Sequence, residues 1–110
     1  MRTSDQYIDY ILDILSDVKN VTTKRMFGGS LVQVNNEQLG IICDNQFFLK
    51  VVDEALQQQL LREGSHQFSY ARKEKNIIIK NWWSVPPVYL EDREKMLALS
   101  YESLSASSLK

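Results

Sequence analysis

Residues 21–51 read VTTKRMFGGSLVQVNNEQLGIICDNQFFLKV, and this stretch decides the fold class. Short apolar and β-branched runs alternate with polar breaks, a pattern of strands and turns rather than of helix. The pattern predicts strands over 21–27, 31–35, 39–43 and 46–51. Gly28-Gly29 ends the first, Asn35-Asn36-Glu37-Gln38 is a turn cluster, and Asp44-Asn45 is another turn. Connections this short join antiparallel neighbours, so the four strands form a meander.

Toward the N-terminus, Ile8, Ile11, Leu12, Leu15 and Val18 recur at spacings of three and four. That spacing predicts a helix over 4–19 whose apolar stripe packs on the sheet. Thr3 and Gln6 have capping-box spacing at its start, and Asn20 is its expected stop. Downstream, Val52, Leu56 and Leu60 align along a short helix over 53–62, capped by Asp53 and closed by Gly64. Phe68 and Tyr70 alternate in a fifth strand, residues 73–76 are a polar turn, and residues 77–83 form a sixth strand.

In that sixth strand Trp82 and Trp83 must face opposite ways, Trp83 with Ile77 and Ile79, and Trp82 with Ile78 and Lys80. Pro86-Pro87 stop the sheet because proline cannot donate to the ladder. Glu91, Asp92 and Glu94 favour a helix start, and Leu90, Leu97, Tyr101 and Leu104 share one face of a closing helix that frays from Ser103 on. The chain is α+β: an antiparallel sheet of five to six strands flanked by N- and C-terminal helices, with a short middle helix. Residues 1–104 are read as the domain and 105–110 as a flexible Ser-rich tail.

One domain is the natural reading of 110 residues. Apolar content of 44% and charged content of 25% are those of a globular chain and argue against overall disorder. The net charge of −1 is low for a dedicated duplex-DNA binder, whose affinity comes largely from neutralised phosphates. The charge is uneven, however. Residues 1–18 set Arg2 against four Asp, whereas residues 19–80 hold nine Lys/Arg against six acids. A modest basic face is therefore hidden in the total. The sole cysteine, Cys43, has no internal disulfide partner, which fits a reducing compartment. No apolar stretch approaches the ~20 residues of a membrane span, and the N-terminus has no signal-peptide pattern. A cytoplasmic location without membrane association is expected.

The Met26-Phe27-Gly28-Gly29 run could be a loop approaching a ligand. No phosphate-binding glycine pattern or following helix supports that, so it is read as a structural turn with Met26 or Phe27 in the core. Lys24 and Arg25 are either solvated edge charges or an anion contact, with Lys50, Arg72, Lys73, Lys75 and Lys80 as company. Of the aromatic pair, either both pack in the core, or Trp83 is core and Trp82 is an interface residue or a base-stacking one. Asp5, Asp9, Asp13 and Asp17 form an i+4 stripe, read as a solvated face before a contact for a basic partner. His66, the sole histidine, is read as a loop residue and Cys43 as a small buried hydrophobe, so neither a nucleophile–base device nor a zinc spacing exists. No catalytic, cofactor-binding or metal residue is assigned.

Taken in order, these motifs resemble a known family. They are Arg25-Met26-Phe27-Gly28-Gly29, the strand Phe48-Leu49-Lys50-Val51 followed by Asp53-Glu54, and Trp82-Trp83 with Val85-Pro86 leading to Leu90-Glu91-Asp92. The set resembles the N-terminal domain of the TfoX/Sxy family, regulators of bacterial DNA-uptake competence, over about residues 8–101. The resemblance implies an α+β fold similar to that of secretion chaperones, with no catalytic residue. It also implies a regulator that turns on competence genes by assisting the cyclic-AMP receptor protein at certain promoters. Family members usually carry a second, C-terminal helical domain, so the sequence is read as a single-domain relative or as the N-terminal half of such a protein.

The functional expectation is a non-enzymatic regulatory domain acting through protein–protein contacts, with transcription machinery or the cyclic-AMP receptor protein as partner. Lys24, Arg25, Lys80 and Trp82 are its candidate interface; Met26, Phe27, Gly28, Gly29, Trp83 and Pro86 are its structural motif residues. The alternatives are a direct nucleic-acid-binding module using the basic face and a small-ligand-binding domain with a pocket between helix and sheet. A homodimer through a sheet face or edge is also compatible with the sequence.

Overall fold

The computed structural model describes residues 3–26 and 28–108; Phe27 lies outside them. The elements run α1 (Asp5–Ile14), β1 (Val21–Met26), β2 (Gly29–Val34), β3 (Glu37–Cys43), β4 (Gln46–Lys50), α2 (Glu54–Arg62), β5 (Gln67–Arg72), β6 (Lys75–Ser84), α3 (Pro87–Leu90) and α4 (Arg93–Ser108). The six strands form one antiparallel sheet in the order β1-β2-β3-β4-β6-β5. The meander of the first four strands is present, and the β5–β6 hairpin joins it through β6, which pairs with β4.

Local chemistry explains the element ends. The turns at Asn35-Asn36 and Asp44-Asn45 each use two residues at positive φ, which Asn and Asp tolerate best after glycine. Gly28, at φ 76, turns β1 into β2. Gly29, expected to end the first strand, instead opens β2 opposite Met26, where a Cβ would sit 1.9 Å from the Ile42 carbonyl oxygen. The first helix is shorter than expected. Its N-cap is Ser4, whose hydroxyl accepts from the Tyr7 N–H at 3.1 Å, while Thr3 Oγ1 accepts from the Asp44 N–H at 2.7 Å. Asp53 caps α2 by accepting from the Leu56 N–H. Gly64, at φ 99, closes that helix in a Schellman motif: the Ser65 N–H reaches the Leu60 carbonyl and the Gly64 N–H the Leu61 carbonyl.

The four helices among the described residues pack on one face of the sheet. Ile11 and Leu15, Leu56 and Leu60, Tyr89, and Met96 and Leu99 meet Val32, Ile42, Phe47, Leu49 and Trp83 in a single core cluster. The C-terminal part departs from the sequence reading in two ways. Pro86-Pro87 start a separate short helix, α3, so Leu90 does not belong to the closing helix. The inward face of α4 is Met96, Leu99, Ser100 and Ser103, while Tyr101 points outward at 44% exposure. The two serines bury because their hydroxyls have partners: Ser100 donates to the Met96 carbonyl at 2.8 Å and Ser103 to the Lys50 carbonyl. Small side chains let α4 approach β4, and the helix runs on to Ser108 where fraying from Ser103 was expected.

Candidate functional site

Among the described residues no helix packs on the opposite face of the sheet. Its own cluster consists of strand residues: buried Ile41, Cys43, Phe48 and Phe68, with half-buried Met26, Tyr70, Ile79 and Trp82 against them. Met26 lies on β1 and Tyr70 on β5, the two edges of the six-stranded order. In a flat sheet five strand spacings would hold these edges about 24 Å apart. Both instead line one hollow of about 320 Å³. The sheet is therefore curled, with the helix-free face on the inside of the curl. Gln38 and Ile41 form the floor from β3, and Phe68, Ile79 and Trp82 complete the wall from β5 and β6.

Trp82 reaches this hollow because β6 is irregular. Phe68 pairs with Ile79, yet the preceding Gln67 pairs with Trp83, so residues 80–82 are extra on β6. Asn81 takes the left-handed conformation at φ 77 inside the bulge. Its carbonyl accepts from the Val51 N–H at 2.7 Å, and its side-chain oxygen accepts from Gln57 Nε2 at 3.3 Å. The bulge flips the alternation. Trp82 joins Ile79 on the open face instead of Ile78 and Lys80, and Trp83 enters the helix-side core instead of joining Ile77 and Ile79. Trp83 Nε1 is buried there with no hydrogen-bond partner among the described residues. Ile78, left on the helix side but beyond the helices, is 60% exposed.

Register assigns the charges to faces, since directly paired residues share one. Lys24 pairs with Leu31, which pairs with Ile41, so Lys24 lies on the open face. Lys50 pairs with Trp82, and Lys75 lies two residues before Ile77, the partner of Tyr70; both share that face. Arg25 pairs with Ser30, which pairs with the core residue Ile42, and so points to the helix side. Lys80 borders a separate polar cleft, of about 730 Å³, with Lys50, Glu54, Gln57 and Asn81. Of the four interface candidates, the structure groups Trp82 and Lys24 on one face and leaves Arg25 and Lys80 elsewhere. Arg72 pairs with Lys75 in the backbone ladder; its side chain lies outside the described residues.

Strand alternation shows half of this wall in the sequence, since Phe68 and Tyr70, like Ile77 and Ile79, stand two apart. Nothing in the sequence pattern marks Gln38, Ile41 or Tyr70 as site residues. What the sequence hides is the Asn81 bulge, whose one local signal is an asparagine between Lys80 and Trp82.

Elsewhere, His66 Nδ1 lies 3.2 Å from Ser84 Oγ, and its ring meets the edge of Phe48. Burial, with the neighbouring Asp44 charge, pushes the Cys43 thiol up, which disfavours the reactive thiolate. Burial also raises Tyr89, helped by the hydrogen bond it donates to Glu63 Oε1 at 2.7 Å. Among the described residues no group of three His, Cys, Asp or Glu is placed to hold a metal ion, and no helix is long and apolar enough to cross a membrane.

The profile of the TfoX N-terminal domain matches residues 13–107, from within α1 almost to the end of α4. The chain belongs to the TfoX N-terminal domain family. No curated protein matches it. The family is one of competence-related regulatory domains. The match spans both the helix layer and every strand of the curled sheet, so the hollow lies wholly within the family domain.

Proposed function

We propose that this TfoX-type domain regulates by contact and not by chemistry, and that the helix-free face of its sheet is the contact surface. One observation carries the reading. Every helix among the described residues packs on the same side, and the other side keeps a hollow of about 320 Å³ with half-buried aromatic and apolar walls. A domain this small has little apolar surface to spare, and an uncovered apolar concavity is where a partner gains most from burial.

Two partner classes suit such a face. A protein, the transcription machinery or the cyclic-AMP receptor protein of the family resemblance, would seat one large apolar side chain in the hollow. A nucleic acid would seat a base. The test common to both is a competence-gene reporter in cells lacking their own copy of the gene. Tyr70→Ala combined with Trp82→Ala, confirmed as folded by circular dichroism, should abolish activation. Asp5→Asn with Asp9→Asn, on the helix side, should preserve it. Full activation by the Tyr70/Trp82 variant would refute the contact face.

A further inference from the structure

We propose that the helix-free face binds single-stranded nucleic acid, seating one base in the hollow between Met26, Tyr70 and Trp82 and the flanking phosphates on Lys24, Lys50 and Lys75. This rests on the reading of that face as the contact surface and adds the class of partner.

Charge segregation is the first support. The strands hold six of the 13 basic residues but one of the 14 acidic ones. That one, Glu37, pairs with the core residue Val34 and so faces the helices. Glu74 sits in the β5–β6 turn, beyond the strands. Strand alternation thus puts Lys24, Lys50 and Lys75 on the open face and no strand carboxylate among them. The net charge of −1 conceals this because the acids are concentrated on and beside the helices. Two of the lysines flank the hollow: Lys24 is two residues, about 7 Å, from Met26, and Lys75 is four residues, about 13 Å, from Ile79; Lys50 is paired with Trp82 in the ladder and also borders the polar cleft.

The second support is the wall. Phe68, Tyr70 and Trp82 give it aromatic faces, and base stacking on such faces is tolerant of sequence. Gln38 adds a side-chain amide with no hydrogen-bond partner among the described residues, suited to the polar edge of a base. An aliphatic protein anchor would use neither the amide nor the ring faces. A base in a duplex is stacked between its neighbours and cannot enter a hollow, so the strand must be single.

The experiment is fluorescence anisotropy with a labelled 15-nucleotide oligothymidylate at 0.05 and 0.2 M salt. It runs beside a duplex of equal length, free thymidine monophosphate, and an acidic peptide carrying one tryptophan. Micromolar binding of the oligonucleotide is expected at the lower salt. With three phosphates held, it should weaken about 18-fold across that salt range. The duplex and the mononucleotide should bind at least tenfold more weakly. Lys24→Gln with Lys75→Gln, both exposed, should cut the salt effect to about threefold. Trp82→Ala should lose about five- to a hundredfold in affinity, and Trp82→Phe should recover most of it.

No binding at 0.05 M salt, equal binding of duplex or mononucleotide, or an unchanged salt slope in the lysine variant would each overturn the proposal. Tighter binding of the peptide would assign the face to a protein instead. The two readings fail separately. A reporter silenced by the Tyr70/Trp82 variant with no oligonucleotide binding keeps the contact face and removes the nucleic acid. Full reporter activity in a variant that no longer binds the oligonucleotide does the reverse.

Discussion

The two faces of this sheet are built from the same alternating strands, yet one is sealed and the other is not. On the helix side Leu49 and Ile42 are fully buried, and four helices supply the cover. On the other side the sheet covers itself by curling, which buries Phe48 and Phe68 but leaves Met26, Tyr70, Ile79 and Trp82 half exposed around a hollow. Adjacent tryptophans mark the boundary: Trp83 belongs to the sealed side and Trp82 to the open one. Stability should therefore reside mainly in the first face and recognition in the second.

The largest effect should come from the sealed face. Leu49→Ala deletes a fully buried side chain at the centre of β4 and should cost about 4 kcal/mol in a denaturant melt. Gly29→Val should cost about 3 kcal/mol, because its Cβ would overlap the Ile42 carbonyl and the strands must part. Trp82→Ala should cost less, about 2 kcal/mol, since part of this large aromatic is already in water. A larger loss for Trp82→Ala than for Leu49→Ala would break the distinction between the faces. Ser103→Ala should cost about 1 kcal/mol, by leaving the Lys50 carbonyl without its side-chain donor.

The smallest effect is pH-dependent and belongs to the helix side. Burial and the hydrogen bond to Glu63 raise the Tyr89 hydroxyl above its ordinary value. Above pH of about 10 the unfolded chain releases this proton while the folded one retains it, so stability falls as pH rises through that range. Tyr89→Phe should flatten the alkaline limb of a melting-temperature profile.

The meander was legible because Asn35-Asn36 and Asp44-Asn45 are strong local turn signals, and α2 because Asp53 and Gly64 bracket it. The first helix was read too long: Val18 keeps the apolar spacing and is buried, but the chain has already left the helix at Leu15. The closing helix departs from its sequence pattern for a different reason. Ser100 and Ser103 look like solvent-facing or linker residues, and their burial depends on carbonyl partners, one of them 53 positions away on β4. The site was half legible. Trp82 and Lys24 were identified, but their shared face follows from a bulge at Asn81 held by Gln57 and Val51 across the fold. Period-two reasoning cannot detect the extra residues 80–82, and because their number is odd the bulge reverses the face assignments beyond it.

The most direct test follows the two indole N–H signals by two-dimensional nitrogen–proton NMR while the oligothymidylate is added. The Trp82 signal should move with the amides of Met26, Gln38 and Tyr70, while the Trp83 signal and those of α1 and α4 stay in place. Movement of Trp83 and the helices around a stationary Trp82 would place the contact on the sealed side and contradict the assignment of the open face.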